Sequence, residues 1–159
     1  MIPSSIPIPL PGGLHGPLPR FITVSQKLST DTVSDIDATV SEEFGKFKSI
    51  NLKGKQIAVA VGSRGIVQQP LVVKALIREL REVGAIPFII PAMGSHAGGT
   101  AEAQAGLLAG YGVTEDSMGA PIRATMDTVV VTELEDGTEI HMDRFAHESD
   151  GVVLINRVK

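Results

Sequence analysis

The chain has 159 residues, enough for one core of ordinary size, and it contains no cysteine, which excludes disulfides, thiolate metal ligands and a cysteine nucleophile. Its formal net charge is −4, its Lys and Arg are scattered, and aromatic residues make up only 4%. A nucleic-acid surface needs a basic patch and stacking rings, so that class is excluded on both counts.

Residues 1–19 hold six prolines and three glycines and predict an extended arm spanning about residues 1–20. The stretch has neither a basic start nor a continuous apolar run, so it is read as neither a signal peptide nor a membrane span, and the cytoplasm is the expected compartment. From residue 21 onward one α/β domain is expected. Phe21–Ser25 predicts a first strand. A helix is expected from about Thr32 to Phe47, because Val33, Ile36, Val40, Phe44 and Phe47 recur at steps of three and four. Asp31, Asp35 and Asp37 near its start and Lys46 and Lys48 near its end match the helix dipole.

Gln56–Val61 is an apolar run that predicts a buried strand, and it runs into the short loop Gly62–Gly65. A helix is expected over Pro70–Val83, with proline at an early position where its missing N–H costs least. Its apolar stripe is Val72, Val73, Leu76, Ile77, Leu80 and Val83, and Gly84 closes it. Ala85–Ile90 predicts a second buried strand. The glycine-rich loop Met93–Gly99 follows, and Thr100 is placed to cap a helix reaching about Ala109. Strand, loop, helix, strand, loop, helix is the grammar of a βαβ crossover with parallel neighbouring strands. Both loops then leave the C-terminal ends of their strands and meet at one sheet edge, where open α/β sheets bind ligands. Further on, Thr128–Glu133 and Thr138–Met142 flank an Asp136–Gly137 turn and predict a hairpin. Asp143–Ser149 reads as a helical turn and Gly151–Ile155 as a third buried strand. Because the chain stops just after this core strand, it is expected to be part of a longer protein.

Two loop residues stand out chemically. Arg64 lies between glycines and offers a planar fork suited to a carboxylate or phosphate. His96 is surrounded by Gly94, Ser95, Ala97, Gly98 and Gly99, which have little bulk to bury it, and an imidazole suits proton transfer near neutrality. Loop amides at the start of the next helix could also hold an anion. His15, His141 and His147 read as solvent-exposed. No histidine pair has zincin spacing, no acidic run resembles a calcium loop, and neither the dinucleotide fingerprint nor the P-loop is present. Ser63 and Ser95 have no base evident in the sequence, so nucleophilic catalysis is poorly supported.

Three segments together (GSRGI at residues 62–66, IPAMGSHAGGTAEAQAGLLAGYGVTE at 90–115 and GVVLINRVK at 151–159) resemble the N-terminal domain of the nickel-pincer-dependent lactate racemase family. The resemblance implies a Rossmann-like N-terminal α/β domain, with a mostly parallel sheet, flanking helices and a β-hairpin, of a two-domain protein. It implies an isomerase: a racemase or epimerase moving the proton and hydride of a 2-hydroxy acid with a nickel-pincer nucleotide held mainly by a second domain. His96 matches the family's first-domain catalytic histidine and Arg64 its carboxylate-gripping arginine. Ser63, Ser95, Gly94, Gly98 and Gly99 are the substrate-binding candidates beside them. No metal ligand is assigned in this chain, and no cofactor is expected on it alone. The family typically shows Asp-x-Thr-Arg-Pro around the arginine and an Arg after the loop histidine. Gly62-Ser63-Arg64-Gly65 and Ala97 stand there instead, so the resemblance leaves the substrate open. The expected partners are a small hydroxy acid, the second domain and a further copy of the chain, with no nucleic acid and no membrane. The alternative reading is a non-catalytic module that binds a carboxylate or phosphate through the same two loops.

Overall fold

The computed structural model describes residues 20–27, 31–47 and 49–157. The proline-rich arm over residues 1–19, with His15, and the terminal Lys159 lie outside the described residues. Contacts divide the chain into Met1–Thr32 and Val33–Lys159. In the first unit, residues 20–27 carry no regular structure, and Phe21, Ile22 and Val24 are exposed. The strand expected over Phe21–Ser25 is therefore not formed. Its β-favouring residues lack a partner strand, and propensity alone does not hold an isolated strand in water.

The second unit begins with helix α1, Ile36–Gly45, capped by Asp35, whose carboxylate accepts from the Ala38 amide at 2.9 Å. This start is later than the Thr32 expected from periodicity. The Asp35 cap satisfies an otherwise orphaned helix donor, and Val33, outside the helix, is exposed. Phe47, taken as the last residue of the stripe, also lies beyond the helix and is exposed.

Strand β1 (Gln56–Val61) leads through Gly62–Gly65 into α2 (Gln69–Glu82), and β2 (Ile86–Pro91) follows. The chain then forms α3 (Ala101–Gly110), the one-turn α4 (Glu115–Met118), β3 (Thr128–Glu133), β4 (Glu139–Asp143), the one-turn α5 (Arg144–His147) and β5 (Gly151–Ile155). β1 pairs in parallel with β2 on one side and with β5 on the other, so the order is β2-β1-β5. The loops after β1 and β2 thus leave the same edge, as the βαβ reading expected. β3 and β4 form a separate antiparallel ribbon with a register shift between Val130 and Thr132. The architecture is therefore α/β, combining parallel and antiparallel pairing with flanking helices.

One feature escaped the sequence reading. The Ala120–Arg123 stretch runs beside β2, where the Ile89 amide donates to the Pro121 carbonyl and the Arg123 amide to the Ile89 carbonyl, each at 2.8 Å. A threonine capping box at Thr114 starts α4 just before it and turns the chain back towards the sheet.

Alternation along the strands divides the core between the two faces. Ile57, Val59, Val61 and Ile89 face α2 and α3 with Val73, Ile77, Leu80 and Leu108, the larger cluster. Ala58, Ala60, Phe88 and Ile90 face α5 and the base of the hairpin. The α2 stripe from Val72 to Val83 is buried or half-buried as its spacing requires.

Candidate functional site

At the C-terminal edge of β1, Gly62 continues the strand: its amide donates to the Ile155 carbonyl at 3.0 Å. A methyl group at residue 62 would overlap the Asn156 side chain, since the ideal Cβ falls next to Asn156 Oδ1. The Asn156 side chain thus occupies the space that a Cβ at residue 62 would fill above the strand end. The Gly62 carbonyl is held from below by buried Gln69, whose Nε2 donates to it at 2.8 Å. Ser63, buried, and Arg64, exposed, follow.

The second loop leaves β2 and places His96 in extended backbone (φ −62°, ψ 161°). Ala97, Gly98 and Gly99 after it have φ of 53°, 72° and 65°. Such a left-handed run is natural for glycine and costs an alanine roughly 1–2 kcal/mol. It reverses the chain directly after His96 and delivers it to Thr100, the cap of α3, whose Oγ1 accepts from the Ala103 amide at 3.3 Å. The His96 and Gly99 amides are consumed in turns to the Met93 and His96 carbonyls. Two of the donors expected to be available for an anion are therefore engaged by the loop itself.

The two loops meet. Ser63 Oγ lies 2.5 Å from His96 Nδ1, and Arg64 Nη2 lies 3.5 Å from His96 Nε2. A guanidinium only donates. A hydrogen bond from Arg64 to Nε2 goes with the tautomer protonated at Nδ1, in which Nδ1–H donates to Ser63 Oγ. In this tautomer the basic lone pair points along the side of the ring that Arg64 occupies, and the Ser63 hydroxyl keeps its own proton to donate elsewhere. Among the described residues no carboxylate pairs with Arg64, in contrast to Arg78 and Arg144, which are paired with Asp37 and Asp127. The arrangement is a proton acceptor beside a cation without a counter-charge, which is suited to an anion that also carries an exchangeable proton.

Of the residues singled out from sequence, His96, Arg64 and Ser63 come together. Gly94, Gly98 and Gly99 shape the His96 loop through their positive φ angles, and Ser95 is exposed on it. His141 lies on the hairpin against Thr128 and Glu139, and His147 is exposed on α5, both as expected. Sequence reasoning missed four residues that shape or support the two loops: Gln69, Gln104, Tyr111 and Asn156. For Gln104 a signal existed, since it is a polar residue at a helix position four before the core residue Leu108, whereas Gln69 precedes the helix expected from Pro70. The hydroxyl of Tyr111 donates to the Ser63 carbonyl at 2.8 Å, a contact across 48 positions that no local pattern announces. No protein-family model matches the chain, and neither curated proteins nor solved structures gave a match.

Proposed function

We propose that this chain is the front part of a racemase or epimerase resembling the nickel-pincer lactate racemases, in which His96 exchanges the hydroxyl proton of a 2-hydroxy acid and Arg64 grips its carboxylate. The observation that carries the reading is the 3.5 Å approach of Arg64 Nη2 to His96 Nε2 at the strand-end edge. A 2-hydroxy acid bears its carboxylate and hydroxyl on adjacent carbons, so an anion-binding fork beside a proton acceptor matches both groups at once. The substrate carboxylate supplies the counter-charge that Arg64 lacks among the described residues. Ser63, with a hydroxyl proton to donate, and Ser95 with Gly94, Gly98 and Gly99 complete the substrate side of the cleft.

Among the described residues no group of three or more His, Cys, Asp or Glu side chains is placed to hold a metal ion. These residues do not fit a nickel-binding role, and no step through the cofactor is assigned to them. In this reading the nickel-pincer nucleotide belongs to a second domain, which closes the cleft over this Rossmann-like unit in a cytoplasmic enzyme. What this chain contributes is the proton transfer and the carboxylate clamp.

A second reading, an anion-binding module without turnover, is favoured by the same uncompensated charge on Arg64 and differs in its use of His96. Titrating the chain with lactate while following backbone amide resonances tests both. Shifts confined to Gly62–Gly65 and Met93–Gly99, abolished by Arg64→Gln, are expected. Turnover by the protein joined to its second domain should disappear in His96→Gln while substrate affinity persists. Retained turnover would remove the enzymatic role of His96, and ligand shifts centred on Asp136–Gly137 would remove the site.

A further inference from the structure

Gln104 and Leu108 of helix α3 and Tyr111, the residue at its C-terminal cap, follow at spacings of four and three, which places all three along one face over about two turns. Leu108 is fully buried in the larger core cluster and anchors the helix to the sheet. On either side of that anchor the two polar residues reach different loops. Gln104 Nε2 donates to the Gly94 carbonyl at 2.6 Å and to the His96 carbonyl at 3.4 Å. The Tyr111 hydroxyl donates to the Ser63 carbonyl at 2.8 Å, which is the peptide joining Ser63 to Arg64.

The helix already ends through backbone bonds at Tyr111, so the hydroxyl contact is not needed to close it. The hydrogen bond instead orients the one peptide whose two residues both contact His96. Gln104 holds the backbone of His96 from the same helix. One rigid element therefore grips both halves of the cluster, although the halves lie 32 and 33 positions apart.

We infer that Gln104 and Tyr111 are positioning residues that set the ring orientation and tautomer of His96 by tying both loops to α3. The purpose of this positioning rests on the reading of His96 as the proton-exchanging group, whereas the effect itself can be measured without any substrate. With the Ser63–Arg64 peptide released, the Nδ1–H to Oγ contact loses its alignment, and the imidazole relaxes towards the Nε2–H form that free histidine side chains favour.

The experiment is nitrogen-15 NMR of the histidine rings in the full chain, at a pH where the imidazoles are neutral. The unaltered protein, Tyr111→Phe and Gln104→Met are compared. In the unaltered protein the Nδ1–H form of His96 dominates. In each variant the tautomer ratio shifts towards Nε2–H by about fivefold, the factor an ordinary hydrogen bond supports. His141 and His147 serve as controls and stay unchanged. If one variant fails to fold, the other decides. A His96 tautomer ratio unchanged in a variant whose amide spectrum is otherwise native overturns the inference. Failure of the functional reading is distinct: it appears as turnover that survives His96→Gln, and it leaves the tautomer result untouched.

Discussion

Replacing Gln69 by methionine removes one donor from beneath the candidate site while nearly conserving side-chain volume. Gln69 is only 4% exposed, and its Nε2 donates to the Gly62 carbonyl at 2.8 Å. That acceptor is a backbone group inside the fold, so it cannot be removed together with its donor. Losing a typical hydrogen bond costs about 1 kcal/mol, and leaving a buried carbonyl without a partner adds about 1 kcal/mol or more. The expected loss is about 2 kcal/mol, partly offset because methionine no longer requires a buried amide to be desolvated. The assay is urea unfolding followed by far-ultraviolet circular dichroism, where the midpoint should fall with an unchanged denaturant slope. The Ser63 amide resonance should move in the same variant, because its N–H belongs to the same peptide as the loosened carbonyl. A midpoint within error of the unaltered protein, with an unmoved Ser63 amide resonance, would refute the claim that Gln69 supports this loop.

Two further outcomes follow from the geometry. The carboxyl of Glu79, buried between α1 and α2, is held below the ordinary glutamate value of 4.5 by the Ser41 hydroxyl first and then by Arg78. A depressed folded value gives stability that is present above 4.5 and is lost as pH falls through the lower folded value. Glu79→Gln should therefore cost about 1–2 kcal/mol at neutral pH and flatten the acid side of the stability profile, as read by thermal melts across pH. Gly62→Ala places its methyl on Asn156 Oδ1, and because Asn156 is exposed its side chain can rotate away. The stability change should stay under about 1 kcal/mol while the Asn156 side-chain amide resonances move. A large destabilisation would mean that Asn156 is locked in place.

Local pattern was sufficient for those elements whose burial is dictated by the chain itself. Apolar runs marked β1 and β2, the α2 stripe followed from helical spacing, Thr100 announced α3, and Asp136–Gly137 announced the hairpin. β5 formed as a strand, but beside β1 alone in the order β2-β1-β5 it buries only Ile155 and leaves Leu154 exposed, so it is not the buried strand expected. Two glycine-bounded loops after parallel strands were enough to bring Arg64 and His96 to one edge, because parallel strands joined by a crossover expose their C-terminal ends on the same side. Phe21–Ser25 shows the limit of that logic, since a strand exists only where another strand accepts its hydrogen bonds.

The contacts between the loops were decided by tertiary structure alone. That Ser63 would meet Nδ1 and Arg64 would approach Nε2 of the same ring depends on angles set over 30 positions of intervening helix and strand. That Gln104 and Tyr111 would brace one loop each depends on α3 lying against the same sheet face as α2. Periodicity reports which face of an element is buried, and it is silent about what the polar residues at the ends of that face will reach. In this protein the sequence determined β1, α2, β2 and α3 and the edge that their loops share, while packing of α3 onto the sheet decided which hydrogen bonds hold the histidine.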